Sequence, residues 1–437
     1  GVAPPPTLAP KQPYPLSFFR SQPVLMSAPT ELKKDLIPEE VLEHTEWSVV
    51  LAAHHKEWGP VALKCVRRAH FRDSSLDFEA LAATLKMTPC TPNSVITCVH
   101  QVELTAQFLY IVQERFDCSL RDLALGSGYA PTQAAVSRIR AVWNDQVMRQ
   151  ALQQLCEALS TLHHSQMVHG AIVPSNVLLR LPDVGSLEIV LAPCGLPTRC
   201  TQRAHVSHWN FAPEQLGCPP ELPLPATEGT DVFAMGCVLY NVVTHGQHPF
   251  VGPDDSWHCY RDRVMASDLS FMYSQVRSQD PVLIDFLRSM LLAGEPRVLS
   301  SVAHPYFWTA EQYVTFYRWV VAPERWERGL PQRMDSMESR AQLFPDHDVD
   351  RYPFGEETDW REELGAGQNW GRAAAQTLSE ILKTSQFCRS LMPGANPSDL
   401  VQFVLEVHTR AGAEAMLLLV GMFPYLTITI LQALDQG

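Results

Sequence analysis

Apolar and polar positions along this chain change rhythm several times, and each rhythm predicts an element. WSVVLAAHH (47–55) and GPVALKCVRR (59–68) read as two strands joined by a turn. SSLDFEALAATLK (74–86) follows with helical spacing and a serine to cap it, and FLYIVQERF (108–116) is an unbroken apolar run that predicts a buried strand. Residues 145–166 place Val147, Met148, Ala151, Leu152, Leu155, Leu159 and Leu162 on one helical face. Two short apolar runs, VLLR (177–180) and EIVLAPCG (188–195), precede a further helix in TDVFAMGCVLYNVVTHG (230–246). The order is that of a small β-rich lobe with one helix, followed by a larger helical lobe.

Residues 1–37 break this pattern. They hold Pro4, Pro5, Pro6, Pro10, Pro13 and Pro15 with little periodicity, which favours extended polyproline backbone or disorder. Near the other end, AMLLLVGMFPYLTITILQAL (415–434) is about as long as a membrane span. Gly421 and Pro424 interrupt it, and no Lys or Arg flanks its C-terminal side. It is read as two buried helices with a bend, so no membrane span is expected.

Composition narrows the function classes. A length of 437 residues is enough for two or three domains. The formal net charge of −13 argues against nonspecific nucleic-acid binding, which needs clustered cations. Eleven cysteines are scattered without a CxxC pair, a pattern of reduced thiols in an intracellular compartment: cytoplasmic, the cytosolic face of the endoplasmic reticulum, or an organelle interior. The His pairs 54–55 and 163–164 lack Cys or carboxylate neighbours at ligand spacing, so no metal site is expected.

The candidate chemistry centres on MVHGAIVPSNVLL (167–179). It has the length and hydrophobic frame of a protein-kinase catalytic loop, where His-Arg-Asp is followed by Lys two residues on. Here the positions read His169-Gly170-Ala171 and Val173, while Pro174-Ser175-Asn176 keeps the Pro-x-Asn ending. Lys64 closes VALK and Glu79 lies on the next helix, so an ion pair and a nucleotide pocket shared with Asn176 are expected at most. The glycine-rich loop that covers ATP phosphates should fall in VLEHTEWSVVL, where Glu43, Thr45 and Ser48 replace the glycines. Ala171 cannot accept a proton, and Pro193 stands in Pro-Cys-Gly where Asp-Phe-Gly would hold magnesium. Residues that hold such a fold together persist: Ala212-Pro213-Glu214, Asp231, which would bond the loop backbone, and Arg297 as a partner for Glu214.

GCVLYNVVTHGQHPF (236–250), His304-Pro305-Tyr306-Phe307-Trp308, TDWREEL (358–364) and MFPYL (422–426) carry a narrower resemblance. They are similar to segments of the inositol-requiring kinase–endoribonuclease and ribonuclease L family, in which a kinase fold runs directly into a helical kinase-extension nuclease (KEN) domain. The resemblance implies an α+β, bilobal protein-kinase-like fold followed by an all-α KEN-like domain. The implied divisions are 1–37 (extension), 38–114 (N-lobe), 115–308 (C-lobe) and 309–437 (KEN-like). The family's nuclease uses Tyr, Arg, Asn and His; alignment on Ile381-Leu382 puts Ala373 at the tyrosine, Gln386 and Phe387 at the Arg-Asn pair, and Ser390 or Leu391 near the histidine. None of the four is retained.

The leading expectation is therefore a pseudokinase fused to a pseudonuclease, with no cofactor, acting as a scaffold through protein partners in a hetero-complex or homodimer. Trp360 and Trp370 are candidate contact residues. A second reading keeps ATP bound without turnover, as a regulatory switch on a dimer or partner. A third keeps an active endoribonuclease.

Overall fold

The computed structural model describes residues 28–44, 48–71, 77–87, 96–126, 130–182, 186–192, 210–217, 226–252, 254–276, 281–292, 304–320 and single positions or short runs between 401 and 430. Two compact units emerge, residues 1–277 with 287–302, and residues 278–286 with 303–437.

In the first unit a helix α1 (Thr30–Asp35) leads into strands β1 (Leu36–His44), β2 (Ser48–His55) and β3 (Gly59–Arg67). Helix α2 (Phe78–Met87), β4 (Val99–Leu104) and β5 (Phe108–Glu114) complete an antiparallel five-stranded sheet of order β1-β2-β3-β5-β4. The strands and helix expected from periodicity are found, but the helix cap is Asp77 rather than a serine. Asp77 Oδ1 accepts the backbone N–H groups of Glu79 and Ala80, each at 3.0 Å.

Alternation along β3 and β5 divides the core in two. Leu63, Cys65, Tyr110 and Val112 face one side with Val41, Val49 and Leu51. Val66, Leu109 and Ile111 face the other and are covered by Phe78, Leu81, Ala82 and Leu85 of α2. Ala28, Leu32 and Leu36 join the first cluster. Packing thus begins ten residues ahead of the expected lobe start at 38, because a short apolar stripe in α1 has a sheet face to bury.

The larger lobe opens with β6 (Cys118–Ser119), α3 (Leu120–Leu125), α4 (Ala130–Val142) and α5 (Asp145–His164). Strands β7 (Val177–Arg180) and β8 (Glu188–Leu191) join β6 in a three-stranded sheet. In α5 the expected stripe is buried from Ala151 onward, with Cys156 and Ala158 added, while Val147 and Met148 remain partly exposed in the first turn. Helices α6 (Pro213–Leu216), α7 (Glu228–Val243) and α8 (Trp257–Met265) follow, and α7 is buried on all sides from Thr230 to Val243.

In the second unit, aromatic side chains make up much of the described packing. Phe286 stacks on Tyr306 at 6.1 Å, His304 Nε2 lies 3.2 Å from Asp285 Oδ2, and Tyr313 donates to the carbonyl of Pro305 at 2.8 Å. Helix α9 (Ala310–Val320) carries Tyr317, whose hydroxyl lies 2.7 Å from Thr427 Oγ1. The apolar segment 415–434 falls largely outside the described residues; among those described, no helix is long and apolar enough to cross a membrane.

One cysteine expectation is corrected. Cys65, Cys118, Cys156, Cys237 and Cys259 are free thiols, but Cys98 is disulfide-bonded.

Candidate functional site

The loop between α5 and β7 is assembled by a carboxylate from another element. Asp231, in the first turn of α7 and 2% exposed, accepts the backbone N–H of His169 at 2.6 Å and that of Gly170 at 2.8 Å. His163, near the end of α5, places Nε2 at 3.3 Å from the same carboxylate. Buried backbone N–H groups need partners, and a buried carboxylate needs donors. Each satisfies the other, as expected for Asp231 from the sequence.

His169 is fully buried, and its tautomer follows from its neighbours. Nδ1 accepts the N–H of Ala171 at 3.2 Å, so the ring proton sits on Nε2 and is donated to the carbonyl of Ala192 at 3.0 Å. Burial pushes the His169 pKa below its ordinary value, partly opposed by the charge of Asp231. The imidazole is a neutral strut between the loop and the residue after β8.

Further along, Asn176 donates its side-chain N–H to the carbonyl of Ala171 at 2.9 Å, its backbone N–H to Val173 at 2.9 Å, and accepts from Ala192 N–H at 2.8 Å. Asn210 donates to the carbonyl of Ile172 at 3.0 Å. The carbonyls of residues 171, 172 and 173 are therefore committed to the fold, and the side chains of Ala171, Ile172 and Val173 are buried. Gly170 takes φ +73°, where a Cβ would be strained and would meet Ala226 Cβ at 3.3 Å. A small cavity lies against this loop, lined by Gly170, Ala171, Phe211, Gln215 and Asp231 among others.

The expected partners of a nucleotide pocket are not all brought together. Lys64 on β3 is 8% exposed and lies within electrostatic reach of His169. Glu79 goes elsewhere: Arg68 Nη2 donates to its Oε1 at 3.3 Å, and its side chain is 70% exposed. The reason is register. Asp77 caps α2, the helix buries positions 78, 81, 82 and 85, and Glu79 falls on the opposite side. Asn176 is spent on the loop, as above, so the expected pairing of Lys64 with Glu79 is replaced by Arg68–Glu79. Pro193, Arg297, Ala373, Gln386, Phe387, Ser390 and Leu391 lie outside the described residues.

Sequence reading missed the groups around the segment joining the lobes. Arg180 on β7 donates to Glu114 Oε1 at 2.6 Å and to Glu188 Oε2 at 2.8 Å, with its guanidinium 4.8 Å from the Phe116 ring. Arg115 reaches Glu39 and Glu40 of β1 at 2.8 and 3.4 Å. Thr97 donates its backbone N–H to Leu191 at 2.8 Å. No local motif announces such pairs, because their partners lie 66 and 76 residues apart.

A five-stranded antiparallel sheet with one helix, a helical lobe and a loop anchored by a helix-borne aspartate define a protein-kinase-like α+β fold. The profile of the protein kinase domain matches residues 45–307, and the chain belongs to that family. It is similar to the human serine/threonine-protein kinase/endoribonuclease IRE2, with 31% identity over 181 residues, 38% of this chain and 19% of that protein. It is also similar to an Arabidopsis thaliana protein described as an inactive serine/threonine-protein kinase/endoribonuclease IRE1-like, with 26% identity over 337 residues, 70% of this chain and 56% of the relative. The chain thus spans between about a fifth and just over half of these curated relatives' length.

Proposed function

We propose that this chain is a pseudokinase that serves as a scaffold or assembly subunit, joined to a KEN-like region (309–437) whose nuclease positions Ala373 and Phe387 are degenerate. The observation that carries the reading is Ala171. A methyl group stands where phosphoryl transfer needs a carboxylate, in a loop whose polar groups are committed to structure. Loss of a general base alone costs about 10²–10⁴ in rate. Pro193 in place of the magnesium carboxylate removes charge neutralisation as well. Meanwhile Asp231, His169 and Asn176 keep the backbone in place, which is what a scaffold needs. Partners would be proteins in a hetero-complex or a second copy in a homodimer, and the free thiols among the described residues favour a reducing intracellular setting, with Cys98 an exception among them.

The test is to purify the intact protein from its source with its partners, and to assay it for ATP turnover and for cleavage of a structured RNA. Expected are stoichiometric co-purifying proteins that persist without ATP, and neither activity. ATP turnover abolished by Lys64→Met, or RNA products with cyclic phosphate ends, would overturn the reading, as would a chain that elutes alone.

A further inference from the structure

The turn between β2 and β3 is held by three rings in a row. The Trp58 indole lies parallel to the His55 imidazole, 3.9 Å away between centroids, and to the His100 imidazole of β4, 5.0 Å away. His55 closes β2 and is 5% exposed, and Trp58 packs on the outer cluster of the sheet. His55 Nδ1 accepts the backbone N–H of Glu57 at 3.1 Å and that of Trp58 at 3.4 Å. Its ring proton therefore sits on Nε2. A second proton can enter only at Nδ1, where it displaces both N–H groups of the turn.

The same turn ties down the N-terminal segment. Lys56 donates its backbone N–H to the carbonyl of Asp35 at 3.0 Å and its ammonium to Asp35 Oδ1 at 3.2 Å. Leu36 pairs with His55 across β1 and β2, and Ala28, Leu32 and Leu36 are buried in the cluster against which Trp58 packs. Helix α1 has six residues, too few to stand without such packing.

Charged and titratable neighbours come from each element around the stack. On the turn are Lys56 and Glu57, and Asp35 of α1 pairs with Lys56. His54 of β2 is exposed and by alternation points to the opposite face. On β4, Cys98 Sγ lies 3.8 Å from His100 Nδ1 and does not titrate, being disulfide-bonded, and Glu103 accepts from Gln101. Burial pushes the His100 pKa below its ordinary value. The charge of Glu114 on β5 opposes this, and charge on His55 reinforces it. Glu114 is itself paired with Arg180.

We infer that the β2–β3 turn is a pH-operated strap, which holds residues 28–36 on the outer face of the N-lobe sheet while His55 and His100 are neutral and releases them when both imidazoles are protonated. The sign follows from linkage. The open strap binds protons that the closed strap refuses, so opening is favoured as pH falls below about 6.5. Between pH 7.5 and 5.5 the opening constant should rise about tenfold for one such imidazole and about a hundredfold for two. This goes beyond the scaffold reading and does not depend on it.

The experiment is hydrogen exchange with mass spectrometry on the full chain at pH 7.5 and 5.5, corrected for intrinsic exchange. Protection of residues 30–36 and 56–61 is expected to fall about ten- to a hundredfold. At pH 5.5 it should lie about tenfold or more below that of residues 108–112 in β5, because the strap opens while the sheet persists. His100→Phe keeps a ring on Trp58, and His55→Asn keeps a side-chain acceptor for the turn; neither new side chain titrates. Each variant should shrink the pH response several-fold, and the double variant should abolish it. The inference is overturned by a fall under about twofold in the parent. Equal protection of the strap and residues 108–112 at pH 5.5 also overturns it, since opening is then global unfolding, as does a full parental response in His100→Phe. If His55→Asn does not fold, the parent and His100→Phe still decide. None of these results touches the turnover and co-purification tests of the scaffold reading.

Discussion

Asp231 shows how one buried carboxylate can hold a loop in place. Its two oxygens hold the backbone N–H groups of His169 and Gly170, and it is 2% exposed. Asp231→Ala would leave both N–H groups buried and unpaired, at about 1–3 kcal/mol each. A drop of about 2–6 kcal/mol in unfolding free energy is expected from denaturant titration; a drop under about 0.5 kcal/mol would show that the loop is held some other way. His169 adds a pH dependence. Its folded pKa lies below the ordinary 6.5, so in the window beneath 6.5 the unfolded chain binds a proton that the folded chain refuses. Its contribution is complete above pH 6.5 and is lost as pH falls. Denaturation midpoints at pH 7.5 and pH 5.5 should therefore differ more in the parent than in His169→Gln.

Among the elements, the connection between the lobes is where ion pairs gather. The pairs of Arg180 are partly exposed, with Arg180 itself at 33%, so each is worth about 1 kcal/mol or less. The stacked Phe116 adds about 0.5–1 kcal/mol. Arg180→Ala should lower stability by about 1–2 kcal/mol and raise amide exchange at residues 114–118, whereas Glu79→Ala, on the exposed side of α2, should change neither. Exchange that rises in Glu79→Ala would restore the role expected of it from sequence. At the edge of the sheet, β1 carries Pro38, Glu39 and Glu40 and irregular pairing between Pro38 and Glu40. Proline, charge and bulges on an edge strand discourage pairing with another chain.

For the molecule as a whole, the two units make separate demands. In the second, Tyr317 and Thr427 are both buried, and their hydroxyls meet across 110 residues of chain. Tyr317→Phe leaves the Thr427 hydroxyl unsatisfied, and a loss of about 1–2 kcal/mol is expected. Limited proteolysis between 303 and 437 should accelerate; an unchanged cleavage rate would mean that this contact does not hold the unit together.

Element order was legible because each strand and helix writes its own period into the residues that bury it: VALKCV, FLYIVQE and the stripe Ala151–Leu162 each needed only local spacing. The missing carboxylate at 171 was legible as well, since no folding can turn a methyl group into a base. What local pattern could not supply were partners. Glu79 looked like a match for Lys64 until the cap at Asp77 fixed which side of α2 faces the sheet. The sequence alone determined which strands and helices form and which reactive groups are absent, because both are properties of neighbouring residues. Only the tertiary structure decided that Asp231 holds the loop and that Arg180 joins the lobes, because hydrogen bonding and burial depend on groups distant in the chain.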